Sequence, residues 1–284
     1  MKAEVEIQYN NRARIAETPQ ILRQWSADAA AYRTQATASR LAELNVQYGS
    51  GTRQIVDVFW PAVDRADHIA VFIHGGYWQL FEPALFSHLA RGCNERGIPM
   101  VLIGYDLCPA VTLEEIIAQI KAACVFLWQR YKRRLVLSGH SAGGHLTAAM
   151  LATDWAAEGI DSGLVVAGLS ISGVFELWPL LQTSMNDKLR MNEASARALS
   201  PIGWTPPPAA QIDAWVGGAE SEEFIRQSRD FAAAWSGKGA RTCFESVASA
   251  NHFTIIAAMT YPDSRMVQRF CEFAGVPALS GKLP

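Results

Sequence analysis

The chain has 284 residues, half of them apolar, with 25 basic and 27 acidic side chains and a formal net charge of −2. That balance, with no long basic run, argues against nucleic acid as a partner. The amino terminus reads Met-Lys-Ala-Glu-Val-Glu without a signal-like apolar core, and no apolar run reaches transmembrane length, so a cytoplasmic protein with no membrane contact is expected. The five cysteines (Cys93, Cys108, Cys124, Cys243, Cys271) are scattered and odd in number, as expected of reduced thiols.

In chain order, residues 11–44 are helical in composition, rich in Ala, Arg and Gln, and residues 54–60 alternate as a strand. A strand over 68–74 runs into His74-Gly75-Gly76-Tyr77-Trp78. Strands are then expected at 100–105, 135–138, 164–170, 212–216 and 242–247, with helices at 82–96, 113–131, 142–157, 222–236 and 254–274. This alternation predicts an α/β fold, with a mostly parallel sheet covered on both faces. Residues 174–211 break the rhythm with Trp178-Pro179, Ser200-Pro201 and Pro206-Pro207-Pro208. They read as a lid or substrate-pocket insertion within a single domain, 1–284, since no repeat or low-complexity linker divides the chain.

Residues 139–144 read Gly-His-Ser-Ala-Gly-Gly, directly after the apolar run 134–138. This is G-x-S-x-G between a strand and a helix, where a very tight turn exposes the serine and flanking glycines remove clashing side chains. Ser141 is therefore the expected nucleophile. Upstream, Gly75 and Gly76 follow a strand, so their N–H groups can point at a developing oxyanion, completed by the N–H of Ala142. Of the six histidines, His68 opens a strand and should be exposed, His74 belongs to the oxyanion loop, and His88 lies in a helical pattern. His140 is the variable position of the elbow, and His145 suits a packed helix residue. His252 alone falls on a late loop after the last strand, in the chain order Ser, acid, His, which makes it the expected base.

The acid should follow the penultimate strand. Glu220 comes just after Gly217-Gly218 and is the best candidate to orient His252. Asp213, in mid-strand, is a weaker rival. Glu222 and Glu223 open a helix, where carboxylates commonly offset the helix dipole. His140 and His145 lack the i, i+4 spacing of H-E-x-x-H and have no carboxylate between them, so no metal and no cofactor are expected.

The combination of His-Gly-Gly-Tyr-Trp, Gly-His-Ser-Ala-Gly-Gly-His, Gly-Gly-Ala-Glu-Ser-Glu-Glu-Phe-Ile-Arg-Gln-Ser and Asn-His-Phe resembles the α/β-hydrolase-type arylformamidases (kynurenine formamidases) and related bacterial esterases. The likeness spans roughly residues 59–259, and Tyr9-Asn10-Asn11-Arg12 is similar to a segment of the bacterial relatives that would help cover the site. Those arylformamidases usually carry Asp where this chain has Glu220. The resemblance implies an α/β-hydrolase fold and acyl transfer to Ser141 from a small aryl amide such as N-formylkynurenine. A short-chain carboxylesterase, and a catalytically silent binding module on the same scaffold, are the competing readings. A homodimer stays open. Nine tryptophans are many, and Tyr77, Trp78, Phe175, Trp178 and Trp204 fall in or near loops at the ligand-binding edge of such sheets. Tyr77 and Trp78 are the expected substrate contacts.

Overall fold

A computed structural model describes residues 2–277, and among these one sheet of eight strands organises the molecule. In chain order the strands are β1 (Ala42–Gln47), β2 (Ile55–Phe59), β3 (Ile69–Ile73), β4 (Met100–Ile103), β5 (Leu135–His140), β6 (Val165–Ile171), β7 (Gln211–Gly217) and β8 (Arg241–Val247). Across the sheet they run β1-β2-β4-β3-β5-β6-β7-β8. β2 is antiparallel to both β1 and β4, and every other pairing is parallel.

The central strand β3 shows why the sheet sits where it does. Its sequence, Ile-Ala-Val-Phe-Ile, is apolar throughout, and all five residues are buried. Successive side chains point to opposite faces. Ile69, Val71 and Ile73 join a cluster with Ile116, Ile120 and Leu127 of the helix Leu113–Tyr131. Ala70 and Phe72 join the other face, with Phe86, Val267 and Phe270. A strand covered on both sides needs apolar residues at every position, and burial contributes about 1.5–3 kcal/mol for each large side chain. The helix Leu113–Tyr131 starts where Thr112 and Glu115 form a reciprocal capping box.

Four expectations are corrected. The first concerns residues 11–44, which are not one helix. Short helices Lys2–Tyr9 and Asn11–Arg14 precede a long one, Thr18–Ala38, and the chain then turns at Arg40 (φ 58°) into β1. Nothing in Ala-Glu-Leu-Asn-Val-Gln alternates cleanly, because β1 is a half-exposed edge strand with a bulge at Asn45 (φ 57°). Its place is decided by Asp57 of β2, a fully buried carboxylate that accepts the Asn45 N–H at 2.8 Å and pairs with Arg33 of the long helix. The second concerns residues 254–274, which divide into a 3-10 turn, Ile255–Thr260, and a helix, Arg265–Ala274. Pro262 falls between them, and Ser264 caps the second helix through the N–H of Val267. The third concerns residues 82–96, a 3-10 turn Pro83–Leu89 before a short helix Ala90–Glu95. The helix expected to reach 157 stops at Ala152.

Residues 174–211 form two 3-10 turns, Trp178–Gln182 and Pro201–Gly203, around short helices Asn186–Leu189 and Glu193–Ala198 before the chain enters β7. Their first half is tied to other segments: Gln79 Nε2 donates to the Met185 carbonyl at 2.8 Å, and Glu6 accepts from the N–H and hydroxyl of Ser184.

Candidate active site

The chain leaves β5 at His140 and enters the helix Ala142–Ala152 through a single residue, Ser141, at φ 56° and ψ −115°. Holding a non-glycine residue there costs about 1–3 kcal/mol, so its surroundings must enforce it. Glycines make the turn feasible. A methyl group on Gly139 would lie 2.1 Å from the Gly143 carbonyl oxygen, and one on Gly143 would lie 1.9 Å from that of Ile73. The Ser141 N–H donates to Ile171 at 2.8 Å, locking the turn to β6.

His74-Gly75-Gly76-Tyr77 leaves the carboxyl end of β3 beside this turn. A methyl on Gly75 would meet Ser141 Cβ at 3.0 Å and the His140 carbonyl at 2.7 Å, so only glycine lets the loop come this close. Gly76 (φ 107°), Tyr77 (φ 51°) and Trp78 (φ 55°) all have left-handed backbone. Ala142 heads its helix, where the N–H has no intrahelical acceptor and the positive end of the helix dipole lies. His74 is structural: buried, stacked on Tyr105 at 4.3 Å and pushed down to about 4 by burial, it stays neutral.

His252 and Glu220 meet under the opposite wall. His252 Nδ1 donates to Glu220 Oε2 at 2.6 Å, with both side chains buried. Glu220 Oε1 accepts from the Gly217 N–H at 2.7 Å and from the Ser172 hydroxyl. Both carboxylate oxygens are thus held, and the longer side chain of Glu reaches the imidazole from just beyond β7. The rival acids are engaged elsewhere. Asp213 is buried in an ion pair with Arg269 at 2.7 Å. Glu223 accepts from Tyr9 Oη at 2.8 Å and from Arg226 at 2.7 Å, and Glu222 is exposed.

Ser141, His252, His140 and Gly76 line one cavity of about 140 Å³. An apolar cavity of roughly 150 Å³ admits a benzene-sized ligand. Among the described residues the Ser141 hydroxyl makes no hydrogen bond to a protein group. The serine–histidine contact of such sites commonly tightens only when substrate is bound. The remaining walls include Trp25, Tyr77, Phe81 and Phe253, with Met185 from the 174–211 segment. Asn10, Asn11 and Arg12 also line it, bringing the amino-terminal segment onto the site.

The aromatic wall differs from the one expected. Tyr77 lines the cavity, and its hydroxyl donates to the Tyr9 carbonyl at 2.5 Å. Trp78 does not line it: the indole is fully buried, edge-on to His145 at 5.0 Å. Its left-handed backbone turns the side chain inward, so it anchors the loop from below. Phe175 is buried in a stack on Phe231 at 3.9 Å, Trp178 faces outward and is 42% exposed, and Trp204 bonds the Ala198 carbonyl. Beside Tyr77 the aromatic wall is made by Trp25, Phe81 and Phe253. They come from three distant segments; Phe253 stands in the Asn-His-Phe motif, while Trp25 and Phe81 have no motif to mark them.

His140 was also illegible as more than a spacer. Its Nε2 donates to the His252 carbonyl at 2.8 Å, and the rings lie 4.6 Å apart. Burial, with the neighbouring His252 adding to it, holds His140 well below the ordinary histidine range, so it stays neutral. His68 is half-buried rather than exposed. His145 is packed in its helix as expected, donating to the Leu199 carbonyl at 2.9 Å, and burial pushes it down to about 4. Among the described residues no three His, Cys, Asp or Glu side chains are grouped so as to hold a metal ion.

The family model described as the α/β-hydrolase fold matches residues 70–255, about two thirds of the chain. This chain is an α/β-hydrolase. The hydrolase is 32% identical to the kynurenine formamidase of Salmo salar, over 82% of each chain. It is 32% identical to that of Danio rerio over 75% of each. A crystal structure of a proposed thioesterase from Silicibacter superposes on it with a TM-score of 0.82, at 34% identity, covering 93% of this hydrolase and 98% of that chain. The α/β-hydrolase is therefore an enzyme of hydrolytic type, related in sequence to arylformamidases. Among the described residues no helix is long and apolar enough to cross a membrane.

Proposed function

We propose that this hydrolase cleaves small aryl amides, N-formylkynurenine or a close analogue first among them, through an acyl-enzyme on Ser141. The Ser141 oxygen attacks the carbonyl carbon while His252 takes its proton at Nε2. Glu220 holds the Nδ1–H tautomer and stabilises the imidazolium that forms. The N–H groups of Gly75 or Gly76 and of Ala142 bind the oxyanion. His252 then gives its proton to the leaving amine. Water, deprotonated by His252, releases the acyl group as the acid and restores the serine.

The observation that carries this reading is the 2.6 Å contact of His252 with Glu220, on a cavity that also holds Ser141. The kynurenine formamidase relatives support a formyl group as the acyl part, and the aromatic walls support an aryl leaving group. We read the described residues, 2–277, as one domain in which the 174–211 segment and the amino-terminal segment form a lid, a view supported by Met185 and Asn10–Arg12 on the cavity wall; residues 1 and 278–284 lie outside the described residues. Buried free thiols at Cys93, Cys108, Cys124 and Cys271 support a reducing, cytoplasmic compartment.

Turnover of purified protein on N-formylkynurenine beside 4-nitrophenyl acetate tests the substrate. Formamide cleavage with a kcat/KM at least equal to that on the ester is expected. The likeness to the proposed thioesterase favours a second reading, short acyl ester or thioester hydrolysis. Ester turnover with no formamide cleavage would leave the mechanism standing and select that reading.

A further inference from the structure

Two adjacent asparagines at the cavity wall are used in opposite ways. Asn10 is satisfied: its Nδ2 donates to Glu6 Oε1 at 3.1 Å, and its Oδ1 accepts the Ala13 N–H at 3.2 Å. Asn11 is 3% exposed, lines the cavity, and has neither Oδ1 nor Nδ2 in a hydrogen bond. A buried carboxamide without a partner costs about 1–3 kcal/mol, and the great majority of buried polar groups avoid it.

Asn11 is not loosely held. Tyr9, two residues earlier, donates its hydroxyl to Glu223 at 2.8 Å, accepts from Gln227 at 2.6 Å and is bonded through its carbonyl by Tyr77. Arg14, three residues later, reaches the Glu220 carbonyl at 3.4 Å. The segment that carries this carboxamide is therefore held on the wall it shares with Ser141 and His252.

We propose that Asn11 is a substrate-binding residue that takes a polar group carrying an acceptor and a donor side by side. A primary carboxamide, or the carboxylate and ammonium of an amino-acid end, fits that chemistry: Nδ2 donates to the oxygen and Oδ1 accepts from the nitrogen. Arg12 on the same wall, its guanidinium 5.3 Å from the Phe81 ring centre and without an ion-pair partner among the described residues, adds positive charge for a carboxylate. The inference rests on the reading of this cavity as the substrate site. It deepens that reading by naming what part of the substrate is recognised away from the scissile bond.

Asn11→Leu keeps the volume and removes both polar atoms. Wild type and variant are compared on two substrate pairs. One is phenyl acetate against its ring-carboxamide isomers; the other is 2-formamidoacetophenone against N-formylkynurenine, which adds the amino-acid end. In the wild type the polar member of at least one pair should be preferred about tenfold or more in kcat/KM, because a site built to bond a polar group discriminates against substrates that lack it. Asn11→Leu should abolish that preference through KM, while the substrate-free variant melts no lower than wild type because an unsatisfied group has been removed. The pair that responds tells the carboxamide from the amino-acid end. A ratio that is the same in variant and wild type overturns the proposal, as does a lower melting temperature with both members of a pair slowed alike. Asn11→Ala gives the same readout should leucine distort the wall. Were neither formamide cleaved while the aryl acetates are, the formamidase reading would fail and the ester pair would still decide on Asn11.

Discussion

Glu220 reaches His252 with one carboxylate oxygen, 2.6 Å from Nδ1, while its other oxygen is held by the Gly217 N–H and the Ser172 hydroxyl. The Glu220 carboxylate is thus held through both of its oxygens. Ser172, itself at φ 51° just after β6, belongs to this network and carries no motif of its own.

Glu220→Gln should lower kcat by about three to four orders of magnitude with little change in KM, because the lost function is control of the imidazole tautomer. Ser172→Ala removes a hydrogen bond to a charged group, worth about 1.5–3 kcal/mol, and should cost about ten- to a hundredfold in kcat. Asp213→Asn should instead lower thermal stability, since it leaves Arg269 without its buried partner, and leave the kcat loss smaller than that of Glu220→Gln. Steady-state kinetics with a melting curve for each variant separates the three. A larger kcat loss in Asp213→Asn than in Glu220→Gln would contradict the assignment.

Ser141→Ala should lower hydrolysis by several orders of magnitude, and a fluorophosphonate probe should label the wild type at Ser141 alone. Ser141→Gly should be as inactive yet more stable than Ser141→Ala, by about 1 kcal/mol, because glycine relieves the strain at φ 56°. Chemical denaturation of the two variants reads this difference, and alanine being the more stable would argue that the turn is unstrained.

The cavity of about 140 Å³, walled by Tyr77, Phe81 and Phe253 beside Ser141, leaves no room for a long acyl chain in addition to an aryl leaving group. Formyl and acetyl derivatives of aryl leaving groups should therefore be turned over faster than octanoyl esters. Phe81→Ala, which opens the wall, should narrow the gap between them. Trp78→Ala is expected to act differently: truncating a fully buried tryptophan should destabilise the fold by about 3–5 kcal/mol. A preference for octanoyl esters in the wild type would reject this account of the cavity.

Stability should depend on pH through the buried histidines. Burial holds His74, His88 and His145 down to about 4, and His140 well below the ordinary range. On acidification the unfolded chain takes up these protons first, so it binds more protons than the native state and stability rises with pH across that window. Unfolding free energy should level off near pH 7 and fall below it, by up to about 1.4 kcal/mol per pH unit for each histidine. Urea denaturation at a series of pH values measures the slope, which His145→Gln should reduce. Equal stability at about pH 5 and pH 7 would show that these side chains are not held neutral.

Much of the site was legible because local chemistry demanded it. G-x-S-x-G has to be a tight turn between strand and helix, and the glycines at 139 and 143 leave no room for a side chain. The run Ile-Ala-Val-Phe-Ile can only be a strand buried on both faces. The positions of His252 and Glu220 followed from chain order. Other elements gave no local signal. β1 is an edge strand without clean alternation, and its conformation depends on pairing with β2 and on the buried carboxylate of Asp57. Trp78 misled because apolar bulk near a ligand-binding edge serves packing as readily as recognition.

By itself the sequence determined the alternating α/β order, the tight strand–Ser141–helix turn and the glycine loop that follows β3, since each depends on residues adjacent in the chain. Only the tertiary structure decided which side chains face the cavity. Trp78 turns inward on a left-handed backbone, while Trp25, Phe81 and Phe253 converge from three separate segments. Asn11 arrives on the amino-terminal segment held by Tyr9. The direction of a side chain depends on the backbone dihedrals and on partners far away in sequence, and neither can be read from a residue's immediate neighbours.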